Sequence, residues 1–470
     1  MTYKIENYLN SLFSLQRRGI KLGLEHTKNL SKFFDNPHEK FLTIHVAGTN
    51  GKGSTCAYIE RILRYSGYKV GIYTSPHLFN FNERIRVDGL PISDQEIVSF
   101  LDNSFKEINK IGSTFFEVTT VMAFDYFNKN KVDIAVIETG LGGRLDATNV
   151  ISPVISVITS ISMDHTEILG DSIELIAKEK SGIIKEKTPL FVYQQDTEIL
   201  DVFKKKAIFH NAEIKISNAP KNISVTSKGT QFTFNSQDYT IPLFGSHQAC
   251  NAALAIDVVN HFDPKIKDDM IYNSLKTVFW PGRLQKIRQK IFYDVSHNKE
   301  GMKKTLQTLK ELYPDEDIHG LLCLKKDKDL KSLESVILKN FKTLFISEDK
   351  KGLLLKSSIL EEELARVNIK CKPVISIKKG SENIENLVKI MKLMIPFIPH
   401  LAHECLEMHN CKSTNSWPEI NQNNLLEKIS LAIQINGKTR DIINIKKDSE
   451  EKDVYHAIIS NSKAKKYIEN

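Results

Sequence analysis

The sequence predicts an α/β protein: a large parallel-sheet domain, a second, smaller α/β domain, and a small α+β tail. Three observations carry this. The chain has 470 residues, and single cores stop growing beyond about 250–300. Short β-rich apolar runs alternate with helix-patterned segments, as in parallel strands joined by crossover helices. The texture also breaks twice, at Pro281-Gly282-Arg283 and near Asn386. Domains are therefore expected over residues 1–280, 281–385 and 386–470.

Phe41 to Val46 is a β-rich run stopping at Gly48, followed by a helix from Ser54 to Tyr65 that Gly67 ends. Val70 to Tyr73 is a second strand. Phe116 to Phe127 carries apolar residues at helical spacing. Val132 to Ile137 and Val154 to Thr159 are buried-strand candidates. From Ile214 to Leu243, Thr/Ser/Phe-rich alternation predicts an antiparallel hairpin, with a helix from His247 behind it. Beyond the hinge come a strand at 291–295, a helix from Met302, and strands at 321–324 and 343–347.

The apolar fraction is 41% and the charged fraction 26%, which excludes global disorder. Sixty-five Lys and Arg against 57 Asp and Glu leave a net charge of +8, suited to anionic ligands such as nucleotides without demanding nucleic acid. No 18-residue apolar run is present, so no membrane span is expected. The N-terminus lacks a signal-peptide apolar core. Six scattered cysteines without a C-x-x-C pair speak for a reducing compartment and against a zinc site. A cytoplasmic monomer is expected.

Ala47-Gly48-Thr49-Asn50-Gly51-Lys52-Gly53-Ser54 joins a strand to a helix. Glycines there let backbone N–H groups turn inward, and the helix N-terminus favours negative charge. This predicts a P-loop nucleotide-binding site in the first domain, with Lys52 reaching the β- and γ-phosphates. Val46 stands where the generic pattern has its first glycine, and the alternative is a glycine-rich turn without ligand. In 171–180 the spacing 173, 176, 177, 180 puts Lys180 on the apolar face of a helix, where it either snorkels or carries a lowered pKa. Glu138 and His165 follow buried runs at the expected carboxyl edge of the sheet; a metal or a salt bridge would answer Glu138's burial.

The phosphate-loop string, with Thr74-Ser75-Pro76-His77-Leu78, Asn82-Glu83-Arg84-Ile85, the run from Glu138 to Asn149 (ETGLGGRLDATN) and Thr159 to His165 (TSISMDH), resembles the folylpolyglutamate synthase/dihydrofolate synthase family of the Mur ligase superfamily over about residues 8–382. The resemblance implies an ATP- and Mg²⁺-dependent ligase adding L-glutamate to dihydropteroate, to reduced folate, or to both, through an acyl phosphate. It implies Ser75, Glu138 and His165 as Mg²⁺ ligands, and Lys52, Asp146, His165 and a carbamylated Lys180 as catalytic. Thr49, Asn50, Gly51, Lys52, Gly53, Ser54, Asn251, Arg283 and Asp294 would hold ATP. Leu22, Gly23, Leu24, Thr114, Phe116, Glu117 and His297 would hold the substrate. The second domain is then Rossmann-like. The strand and Gly-Ser segment that ordinarily close it are absent, so it is expected to be truncated.

Leu393 to Glu404 (LMIPFIPHLAHE), Ser416-Trp417-Pro418-Glu419 and Ile433 to Arg440 (IQINGKTR) resemble the end of leucyl-tRNA synthetase, its anticodon-binding and C-terminal region. Neither catalytic signature of that synthetase occurs, so aminoacylation is not expected. Such a tail either keeps RNA affinity through Lys438, Arg440 and the lysines near 463–466, or is a structural remnant that covers the truncated edge of the second domain, and the remnant is the expectation. The alternative to an active ligase is a catalytically impaired homologue that binds nucleotide or RNA. Mixed local charge argues against a nucleic-acid partner.

Overall fold

The structure is a computed structural model that describes residues 2–19, 23–288, 290–326, 330–347, 354–367, 369, 371–373, 428–435 and 438–446. The chain divides into two compact units, Met1–Ile377 and Lys378–Asn470.

The first unit opens with helices α1 (Thr2–Ser14) and α2 (Glu25–Phe33). Strand β1 (Leu42–Ala47), helix α3 (Lys52–Tyr65), strands β2 (Val70–Tyr73), β3 (Ile85–Val87) and β4 (Leu90–Pro91), helices α4 (Asp94–Ile111) and α5 (Phe115–Lys129), and strands β5 (Ile134–Glu138) and β6 (Ile155–Ile158) follow. Next come α6 (Thr166–Leu169), α7 (Ile173–Ser181), β7 (Leu190–Tyr193), α8 (Thr197–Phe209) and β8 (Ile214–Ser217). Eight strands form one sheet in the order β4-β3-β2-β5-β1-β6-β7-β8, with only the β4-β3-β2 edge antiparallel.

Helices cover both faces, so the central strands are apolar throughout. Alternate residues still part company: Ile44, Val46, Ile134 and Val136 enter the core under α3, while Ala135, Ile137 and Tyr73 enter the core under α5. A third core lies beneath α7 and α8.

The predicted hairpin over 214–243 divides in two. Residues 214–217 are β8, parallel to β7, because the 13-residue helix α8 supplies the crossover a parallel pair needs. The alternating stretch forms a separate antiparallel sheet of β9 (Lys221–Thr226), β10 (Gly229–Phe234) and β11 (Gln237–Ile241). Helices α9 (Ser246–Phe262) and α10 (Asp268–Leu275) then pack against α3.

Past the hinge, β12 (Gln285–Arg288) and β13 (Ile291–Tyr293) pair antiparallel, so the strand expected at 291–295 belongs to a hairpin outside the smaller parallel sheet. Lys290, at φ 61°, makes the tight turn. The smaller sheet is β14 (Ile318–Leu322), β15 (Phe341–Ile346) and β16 (Cys371–Pro373), all parallel, with α11 (Lys299–Leu312), α12 (Leu330–Asn340) and α13 (Ser357–Arg366) around their own core.

In the second unit the described residues form one antiparallel hairpin, β17 (Lys428–Ile435) and β18 (Lys438–Lys446), with Lys438 and Arg440 on its return strand. Trp417 and the run 393–404 lie outside the described residues, as do Leu22 and residues 327–329. Among the described residues no helix is long and apolar enough to cross a membrane.

Candidate active site

Strands β2, β5, β1 and β6 are neighbours, and the residues singled out by sequence follow or end them on one edge. Ser75 lies past β2, Glu138 closes β5, the phosphate loop follows β1 and His165 lies past β6. A parallel sheet with buried faces exposes its carboxyl edge to ligands, so these four loops form one crevice.

The loop is built by close approach. A Cβ on Gly48 would stand 1.9 Å from Thr159 Oγ1, and Gly51, at φ 88°, caps α3 where a Cβ would lie 2.5 Å from Asn251 Oδ1. Thr159 and Ser160 hydroxyls donate to the Asn50 carbonyl at 2.8 and 3.1 Å, and the Thr49 N–H donates to the Ser160 carbonyl at 2.6 Å. The loop is thus clamped to the segment after β6. Gly53 abuts the indole of Trp280. The Ser54 hydroxyl is buried in the first turn of α3 with no hydrogen-bond partner among the described residues.

Lys52 folds back to donate to the Gly48 and Thr49 carbonyls, both at 3.1 Å. Lys180 donates to the same Gly48 carbonyl at 2.8 Å and is only 4% exposed. Burial, reinforced by Lys52, lowers its pKa to about 7, against the opposing pull of Asp164 and Asp146. The apolar-face reading of 171–180 therefore holds, and the amine does not snorkel.

Glu138 is 4% exposed and accepts from the Ser75 backbone N–H at 3.0 Å. Burial raises its pKa, while Lys52, the Ser75 bond, Arg283 and Arg84 pull it down. His165 sits at φ 51° at the start of α6, its Nε2 3.9 Å from the Asp164 carboxylate. Among the described residues no group of three His, Cys, Asp or Glu side chains converges as a metal cage. A metal here would rely on one carboxylate, a hydroxyl and the ligand's own oxygens.

The Gly140-Leu141-Gly142-Gly143 turn exists so that α7 can approach it. A Cβ on Gly143 would meet the Lys180 carbonyl at 2.7 Å, and one on Gly182 would meet Arg144 Cα at 2.3 Å. Asp146 holds the turn: its buried carboxylate accepts from the N–H groups of Gly140 and Leu141 at 2.9 and 2.8 Å, and from the N–H and hydroxyl of Thr148. These four donors place Asp146 as an anchor of the loop. His45, within β1, completes the set with Nε2 2.8 Å from the Thr148 hydroxyl; burial lowers its pKa to about 3 and keeps it neutral.

The residues expected to hold the acceptor divide. Phe116, half-buried, lies over Gly140, where a Cβ would be 2.3 Å from its ring, and packs against the core under α5 beside Tyr73. Thr114 and Glu117 form a capping box at the start of α5, and His26 Nδ1 approaches Glu117 at 3.4 Å. The T-x-x-E spacing carried that signal in the sequence. Leu24 starts α2 beside Gly23. Asn251 comes from α9, Arg283 from the Pro281-Gly282-Arg283 segment and Asp294 from just past the end of β13. The Asp294 carboxylate accepts from the N–H groups of Leu284 and Ser296, both at 2.7 Å, and so also braces the hinge. His297 Nε2 lies 3.7 Å from Asp164. Thr159, Ser160, Ser162, Asp164 and Thr148 lie within the quoted motifs without having been given a role, and His45 and Trp280 lie outside them, because their contacts across the fold are not visible in local sequence.

A strand-end phosphate loop, a lysine buried beside it and a second α/β lobe following Pro281-Gly282-Arg283 are the parts of an ATP-using ligase of the Mur type, and residues 46–259 match the Mur ligase middle domain. A dihydrofolate synthase/folylpolyglutamate synthase of Bacillus subtilis is 38% identical over 343 residues, covering 68% of this chain and 80% of its own. The Mycobacterium tuberculosis folylpolyglutamate synthase complexed with ADP and AMPPCP superposes with a TM-score of 0.72 at 28% identity, covering 79% of this chain and 89% of that one. E. coli FolC in complex with DHPP and ADP gives 0.70 at 26% identity, covering 81% and 91%. The chain belongs to the dihydrofolate synthase/folylpolyglutamate synthase family of ATP-dependent glutamate ligases. Residues 362–456 match the anticodon-binding domain of tRNA ligases.

Proposed function

We propose that this protein joins L-glutamate to the carboxylate of dihydropteroate, of a reduced folate, or of both, at the expense of ATP. The observation that carries the reading is the convergence of the phosphate loop, Glu138 and Lys180 on one sheet edge, in a chain of this family. A carboxylate is a poor electrophile, so the acceptor carboxylate first attacks the γ-phosphorus of ATP and ADP leaves. The glutamate amine then attacks the acyl carbon, loses a proton and expels inorganic phosphate.

The chain's own residues meet the electrostatic demand. Backbone N–H groups from Asn50 to Ser54, at the start of α3, receive phosphate oxygens, and Lys52 exchanges its loop carbonyls for the terminal phosphates. The Ser54 hydroxyl, without a partner among the described residues, supplies a further donor there. Glu138 and the Ser75 hydroxyl are hard oxygen donors that suit Mg²⁺, and His165, past β6 on the same sheet edge, would contribute through water; when bound, the ion would neutralise charge on the triphosphate. Near-neutral Lys180 has the free amine that reaction with CO₂ to a carbamate requires. Phe116 offers a flat apolar surface to a pteridine. Arg283 and Asp294, at the hinge, meet the nucleotide as the second lobe seats and excludes water from the acyl phosphate.

The test is phosphate release by purified protein with ATP and Mg²⁺, with glutamate and either acceptor supplied together or singly. Release is expected only with both co-substrates. Release indifferent to the pteridine would overturn the assignment.

A further inference from the structure

Beyond these ligand contacts, one buried amide joins the two lobes of the first unit. Asn298 is 7% exposed and begins α11, where its Oδ1 accepts from the Gly301 N–H at 2.9 Å as an N-cap. Its Nδ2 points the other way. It donates to Asn50 Oδ1 in the phosphate loop and to Asp164 Oδ2 after β6, both at 3.0 Å. Asn50 Nδ2 donates back to Asn298 Oδ1 at 3.3 Å and to the Ser162 hydroxyl at 3.1 Å, so the two amides form a reciprocal pair. The Asp164 side chain is only 12% exposed. Gly301 keeps the helix close, for a Cβ there would lie 3.1 Å from Asn298 Oδ1 and 3.8 Å from Asn50 Oδ1.

We infer that Asn298 is a positioning residue: it latches the start of α11, and with it the second lobe, to the phosphate loop, and thereby sets the orientation of Asn50 and Asp164. An N-cap needs only one oxygen, so a serine or aspartate at this position would serve α11 equally well. The amide nitrogen is what reaches across. A seated lobe holds the loop in one geometry; an unseated lobe releases Asn50 and loosens the strand-end crevice together with it.

Asn298→Ser and Asn298→Asp separate the two roles, because both keep an acceptor for Gly301 and both lose the amide NH₂ that spans to Asn50 and Asp164; the serine hydroxyl is a donor on a shorter side chain, and the aspartate also faces Asp164 with like charge. Hydrogen exchange on the full chain without nucleotide should accelerate by about fivefold or more in peptides covering 48–54 and 160–165 in both variants. Acceleration confined to 299–303, or none, would overturn the latch and leave a plain cap. If the aspartate variant does not fold, the serine variant gives the same reading.

A kinetic arm rests on the ligase reading above. With affinity for a non-hydrolysable ATP analogue within about threefold, kcat should fall about tenfold or more, the scale of a small misplacement at a preorganised site. Unchanged kcat in an active parent would also sink the latch. An inactive parent would count against the ligase reading alone, since the exchange measurement needs no turnover.

Discussion

Replacing Asp146 by Asn tests whether this residue is an anchor. Each of its oxygens accepts two donors: Gly140 and Leu141 N–H on one, the Thr148 N–H and hydroxyl on the other. An amide keeps one acceptor and turns the other into a donor. The less costly orientation points the new NH₂ at Thr148, whose hydroxyl can rotate while its backbone N–H cannot. One buried N–H is then orphaned, at about 1–3 kcal/mol, and the bonds that remain lose their charge-assisted character. Against this, burial raises the Asp146 carboxyl above its ordinary value, so removing the charge recovers part of the loss. The net expectation is a destabilisation of about 2 kcal/mol, read as a lowered urea midpoint at unchanged slope. The turn it releases bears on α7, so acceptor-dependent phosphate release should fall as well. Stability within about 0.5 kcal/mol of the parent, the range of an indifferent surface change, would refute the anchoring role.

Two further perturbations probe the loop and the buried lysine. Gly51→Ala imposes a left-handed alanine, costing about 1–2 kcal/mol, and drives a Cβ into the Asn251 amide at 2.5 Å; nucleotide affinity measured by calorimetry should drop, while Gly67→Ala, at φ 97° with nothing within 4 Å, should leave it unchanged. Equal affinities in the two would discount the close approach. Lys180→Met concerns pH: the amine's value is about 7 folded against an ordinary 10.5, so between these the unfolded chain binds the extra proton and the parent's stability rises with pH. The methionine variant should therefore exceed the parent most below about pH 7, with the gap closing as pH rises through that window in CO₂-free buffer. A gap independent of pH would contradict the burial of a charged amine.

Much of this protein is determined by local sequence alone. Strands β1, β2, β5 and β6 were legible because burial on both faces demands continuous apolar runs. The phosphate loop was legible because only glycines permit its turns. Lys180 stood out because helical periodicity reports which face is buried. The division of 214–243 into a parallel edge strand and a separate antiparallel sheet was not legible, since pairing direction depends on where the intervening helix carries the chain. Nor was the placement of residues 291–293 in a hairpin. Only the tertiary structure decided that the Asp146 carboxylate is taken up by the N–H groups of Gly140, Leu141 and Thr148, and that Asn298 meets both Asn50 and Asp164 across more than a hundred residues of chain. Hydrogen bonds between such residues leave no periodic trace. They are settled by which loops a folded sheet edge brings together, and that follows from the packing of the whole.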